Sequence, residues 1–168
     1  TNTLKGWTGK KNTTLIYDSN VDELTHNGLF DKVKGKRNIA VVGFTIERDV
    51  FGGFYSVAVT EQEKRFKDTN VFIFSFDSHG RCKIPKKFAA KRFVMNAMAN
   101  MSFFQTSYKG FVQFWVDAFG GFWLGNESSQ SYCENLSLKF EGFQDTTLTG
   151  QNNTDRRNPP YHHCTRLV

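Results

Sequence analysis

Cysteine is scarce in this chain: Cys82, Cys133 and Cys164 are the three among 168 residues. An odd number without regular spacing implies no disulfide framework and points to a reducing compartment. Long apolar runs are missing as well. No stretch approaches the roughly 20 residues that a membrane-crossing helix needs, and the N-terminus has no signal-like hydrophobic core. A cytosolic or nuclear protein is expected, and of the two the cytoplasmic reading is preferred. Neither glycine pair, Gly52-Gly53 or Gly120-Gly121, is followed by Lys-Ser or Lys-Thr, so no phosphate-binding loop is present. The acids are scattered singly, and nothing pairs a general acid with a general base. The residues predict no enzyme and no cofactor.

What the chain has is phenylalanine, 18 of them, within an aromatic content of 15%. Large rings in such number favour a β-rich, sandwich-like interior. The stretch Val71-Phe72-Ile73-Phe74-Ser75-Phe76 organises the rest. At period two, Phe72, Phe74 and Phe76 point one way and Val71, Ile73 and Ser75 the other, which leaves both faces nearly free of polar groups. Such a strand must be covered on both sides. At this length the chain is expected to form one domain, residues 1–168, able to bury a core without disulfide or metal.

The remaining segments follow in order. Residues 4–11 carry Trp7 between Gly6 and Gly9 and read as a loop pinned to the core. Leu15-Ile16-Tyr17 reads as a short strand. Residues 21–33 read as a helix that Gly28 can split, with Asp22 early and Lys32 late, as the helix dipole prefers. Residues 39–46 and 50–59 are strands, and Gly52-Gly53 marks a bulge or a close backbone approach. Residues 77–81 form a hairpin turn, and residues 89–99 are a second helix candidate. Strand-like pieces recur at Phe103-Phe104, 111–116 and 122–124. Residues 136–140 alternate as a half-buried strand. Residues 145–160 read as a long surface loop, and residues 161–168 as an edge strand.

Lysine and arginine outnumber aspartate and glutamate by 22 to 16, a net charge of +6. The excess is concentrated at 83–92, where Lys83, Lys86, Lys87, Lys91 and Arg92 occur without an acid. These five are the candidate residues for an anionic partner. With Phe88 and Phe93 they could bind nucleic acid through phosphates and stacked bases; the plainer alternative is a solvated helix face with its rings in the core. Metal binding has two half-sites, His79 with Cys82 and the group His162, His163 and Cys164. Tetrahedral zinc needs four converging donors, and the plainer reading is a turn histidine and a buried cysteine. No glycine elbow flanks any cysteine beside His26 or His162, so no thiol nucleophile is expected.

The order of these pieces resembles a known family. Trp7-Thr8-Gly9, Leu15-Ile16-Tyr17-Asp18-Ser19, Ile39-Ala40-Val41-Val42, Phe51-Gly52-Gly53-Phe54, Phe72-Ile73-Phe74-Ser75-Phe76 and Ala118-Phe119-Gly120-Gly121-Phe122-Trp123-Leu124 together are similar to a TLDc domain, the module of the oxidation-resistance proteins. The family usually ends in an acidic strand with a Glu-Val pair, and the sequence stops at Leu167-Val168 before one; the loop at 144–160 departs from the family pattern. The resemblance implies an α+β, β-rich fold of two antiparallel sheets packed as a sandwich with a few flanking helices. It implies a non-catalytic interaction module, linked to oxidative-stress protection, whose protein partner is the vacuolar proton pump. Nucleic-acid binding through 83–92 is the alternative.

Overall fold

A computed structural model describes residues 2–22, 26–61, 66–91, 100–104, 111–115, 121–124, 132–133, 136–150 and 164–168. Two short helices, α1 (Asn2–Thr8) and α2 (His26–Val33), precede the strands. These are β1 (Ile39–Thr45), β2 (Val50–Tyr55), β3 (Phe66–Lys67), β4 (Phe72–Asp77), β5 (Lys86–Ala89), β6 (Asn100–Phe104), β7 (Phe111–Trp115), β8 (Gly121–Leu124), β9 (Tyr132–Cys133) and β10 (Cys164–Leu167). The fold is β-rich α+β.

Its centre is an antiparallel sheet in which β1, β2, β4 and β5 lie side by side, with β10 at the outer edge of β1. The phenylalanine stretch is interior to this sheet, flanked by β2 and β5. Alternation divides its side chains as the sequence requires. Ile73 joins Val41, Phe51 and Phe88 on one face, beneath Leu29, Phe30 and Val33 of α2 and beneath Leu136, Phe140, Phe143 and Leu148. Phe72 and Phe74 join Phe54 on the other face, against Leu4 and Trp7 of α1. Both faces are covered, and Phe74 and Ser75 have no exposed surface. Separate antiparallel pairings link β3 to β6, β6 to β7, β7 to β8 and β8 to β9. The expected stacking of two sheets face to face depends on residues outside the described set.

Gly52 fits the expected close approach. A Cβ there would run into the Val41 carbonyl oxygen and lie 2.7 Å from Cζ of Phe74. The irregularity in the ladder sits elsewhere, between Val50 and Phe51 opposite β4.

Four expectations need correction. Residues 2–8 form a helix and not a loop: Gly9, at φ 69°, is its C-cap, donating to the Lys5 carbonyl at 2.9 Å. Trp7 is nonetheless pinned to the core, its ring parallel to that of Phe76 at 5.6 Å. Residues 15–17 are not a strand, because the chain turns at once: the Asp18 carbonyl accepts from Val21 and Asp22, and the Asp18 carboxylate accepts from the Asn20 N–H. The start of the second helix candidate is strand β5, and Ala90 bridges Phe140. Phe88 and Ala90 are buried while Lys87 and Ala89 are exposed, a period of two that the ladder exploits; residues 92–99 lie outside the described set. Residues 136–138 form a 3-10 turn, because Ser137 donates from its N–H and its hydroxyl to Asp145 at 3.0 Å and curls the segment on itself.

The helix expected at 21–33 is confined to His26–Val33, preceded by a turn at 19–22, and Gly28 sits inside it without breaking it. Of the surface loop expected at 145–160, residues 145–150 are turns with Leu148 buried; the rest lies outside the described residues.

Candidate functional site

The basic stretch is built on an edge strand, and this sets where each charge goes. Successive side chains of a strand point to opposite faces, so Lys86 and Lys87 diverge. The Lys86 ammonium lies 5.2 Å from the centre of the Phe88 ring. That of Lys87 lies 5.3 Å from the Phe72 ring on the other face, and donates to the Trp7 carbonyl at 3.3 Å. Lys91 reaches back to the Ser137 carbonyl at 2.9 Å. Lys83 is exposed in the loop before β5, and Arg92 lies outside the described residues. Three of the cations thus use their stems and heads on the domain itself.

The His79 and Cys82 half-site is engaged differently from a metal centre. His79 sits in the left-handed region at φ 50°, next to Gly80 at φ 83°, in the turn between β4 and β5. Its Nδ1 lies 2.9 Å from the carboxylate of Asp49, which also accepts from Arg81. The Cys82 N–H donates to the Ser78 hydroxyl at 2.7 Å, and its side chain packs against the core. Among the described residues no three His, Cys, Asp or Glu side chains gather as a metal set. His162 and His163 lie outside the described residues, as does the side chain of Cys164.

The other buried carboxylates are absorbed by backbone. Asp68 accepts from the N–H groups of Ser56, Val57 and Asn70 and from the Ser56 hydroxyl. That arrangement fixes the exit of β2; it offers no free oxygen to a substrate.

A groove of about 700 Å³ lies beside α1 on the Phe54 face. Ala40, Val42 and Phe54 line it with Leu4, Leu15 and Ile16, and its charged lining residues are Lys10, Lys36 and Arg37. Sequence reasoning missed these three. They are scattered singly or fall in a helix stop, and only the packing of α1 brings them together.

No helix among the described residues is long and apolar enough to cross a membrane. The family model of the TLDc domain matches residues 2–158. No curated protein matches the chain.

Proposed function

The chain belongs to the TLDc domain family, and from that membership we propose that it is a non-catalytic interaction module serving oxidative-stress protection and regulation of the vacuolar proton pump. The observation that carries this reading is the match over residues 2–158. The carboxylates of Asp49, Asp68 and Asp145 support it, since each is occupied by partners within the fold. In this reading the chain is one domain, with the second run of strands packed as the other layer of a sandwich. It works in the cytoplasm and meets a protein partner through its surface.

The cations Lys83, Lys86, Lys87, Lys91 and Arg92 are the proposed contact for an anionic region of that partner. Nucleic acid is the weaker reading of the same residues, because Lys86 and Lys87 leave the strand on opposite faces and do not track one phosphate backbone. Affinity capture with the tagged domain from its source cell tests the proposal. Recovery of proton-pump subunits is expected; recovery of no pump subunit and no other stable partner overturns it. A steep salt dependence of oligonucleotide binding, flattened by Lys86→Glu and Lys87→Glu, would instead establish the nucleic-acid reading.

A further inference from the structure

We propose that the cavity between the end of α1 and strands β4 and β5 binds a phosphate monoester, a small organic molecule carrying a terminal phosphate. This goes beyond the partner contact proposed for β5 and shares only Lys87 with it.

The cavity has a volume of about 440 Å³, the size that small ligands occupy. Lys10, just past α1, and Lys87, on β5, bring two ammonium groups to it, and its lining holds no aspartate or glutamate. Both lysines are exposed, and among the described residues neither has a carboxylate partner. Lys87 is held by neutral groups, the Phe72 ring at 5.3 Å and the Trp7 carbonyl at 3.3 Å. An ammonium has three N–H bonds, so two remain for a ligand. Asp68 precedes the lining residues Thr69 and Asn70, but it is 1% exposed and its carboxylate is taken by the N–H groups of Ser56, Val57 and Asn70.

Cations gathered at a cavity without an acid select an anion. The neutral lining says which one. The Asn38 amide and the Trp7 indole N–H make no hydrogen bond among the described residues, and the Asn70 amide donates to the Ser56 hydroxyl at 3.2 Å. Two ammonium groups and these donors are more than a carboxylate, with one charge and two oxygens, can use. A phosphate monoester carries nearly two charges at neutral pH and three acceptor oxygens. Exposed Ala89 and the half-buried ring of Trp7 give its organic part an apolar wall. Lys10 and Asn38 also border the larger groove, whereas Lys36 and Arg37 line that groove alone, which supplies a control.

The test titrates the full chain with phenyl phosphate, by calorimetry and by NMR of the side-chain N–H signals. Saturable binding is expected, with shifts at the Asn38 and Asn70 amides and at the Trp7 indole. Lys10 makes no hydrogen bond or ion pair among the described residues, so Lys10→Gln leaves the fold intact; it should weaken binding at least about threefold, and together with Lys87→Gln at least about tenfold. Lys36→Gln with Arg37→Gln should leave the affinity unchanged. Inorganic phosphate should bind more weakly than the ester, and benzylamine, a similar ring with the opposite charge, should not bind. Absence of saturable phenyl phosphate binding overturns the proposal, as does wild-type affinity in the Lys10→Gln/Lys87→Gln chain. Loss of binding in the Lys36→Gln/Arg37→Gln chain would move the anion to the groove and overturns it too. So does equal affinity for inorganic phosphate, the mark of a bare anion site, or an affinity that climbs with the length of an oligonucleotide, the mark of a nucleic-acid track.

Discussion

Asp49 and His79 lie thirty residues apart in the chain and meet at 2.9 Å. The carboxylate is 2% exposed, whereas the imidazole is about half exposed, so the acid is the buried hub and the histidine its cover. Arg81 joins the same oxygen and continues to the carbonyls of Leu148 at 2.8 Å and Thr147 at 3.3 Å. One carboxylate thus ties the β1–β2 turn, the turn after β4 and the segment at 147–148.

Replacing Asp49 by alanine leaves the Arg81 guanidinium without its anion in a site that is largely shielded. Breaking a buried pair from one side costs about 3 kcal/mol here, the lower end of the usual range because Arg81 retains some solvent. Urea unfolding followed by circular dichroism checks this; a midpoint unchanged from wild type would show that the hub does not hold the turns.

Two glycine substitutions should act in opposite directions. Gly52→Ala forces a methyl into the Val41 carbonyl and the Phe74 ring, and we expect insoluble or unfolded protein, a loss above about 3 kcal/mol. Gly6→Ala lies in α1 with nothing within 4 Å of the new Cβ, and should stabilise by about 0.5–1 kcal/mol through helix propensity. Expression and thermal melts check each in turn: soluble Gly52→Ala with a wild-type midpoint would contradict the first argument, and a lowered midpoint for Gly6→Ala the second.

Trp7 touches Phe72, Phe74 and Phe76, with ring centres 6.3, 5.9 and 5.6 Å away. Because the indole is only half-buried, Trp7→Ala should cost about 2–3 kcal/mol, below the value for a core tryptophan. It should also raise binding of the dye ANS, as the Phe74 face opens. No added dye fluorescence would mean that α1 is not the cover of that face.

Ser75 is fully buried on β4, and its hydroxyl has no hydrogen-bond partner among the described residues. Removing a buried hydroxyl that makes no bond relieves its desolvation cost, so Ser75→Ala should stabilise by about 1 kcal/mol. Chemical denaturation measures it, and a destabilised variant would reveal a partner for that oxygen.

Burial pushes the phenol of Tyr55 well above its ordinary value of 10.0. A group whose folded pKa is raised contributes stability that is fully present below its unfolded pKa and is lost as pH rises past it. The domain should therefore lose stability above about pH 10. In a spectrophotometric titration the Tyr55 phenol should ionise only as the protein unfolds. In Tyr55→Phe the alkaline loss of stability should shrink, and an unchanged pH dependence would assign that loss elsewhere.

Much of the sheet was legible because its signal is local. Phe72, Phe74 and Phe76 declare a two-sided strand by alternation alone, and Gly52-Gly53 declares a place where backbone and ring leave no room. The helix at Asn2–Thr8 was not legible, since Gly6 lowers its propensity and what holds it is the distant contact of Trp7 with β4. The turn at Leu136–Leu138 was hidden for a similar reason: Leu136 and Leu138 alternate like a strand, and only the reach of Asp145 back to Ser137 bends them. The groove was the least visible part. Lys10, Lys36 and Arg37 become neighbours through the fold, and no motif spans them.

Pro85 and the lysines of β5 have a consequence for how these molecules behave when crowded. Pro85 precedes the strand, Lys86 and Lys87 charge its first half, and the Ala89–Lys91 end is already sealed by bonds to Lys139 and Glu141. Charges and proline on a border strand discourage sticking to a neighbour. Growth by front-to-back stacking needs a receptive border at each end of the sheet, and the β5 flank repels; crowding should therefore not extend this sheet through β5.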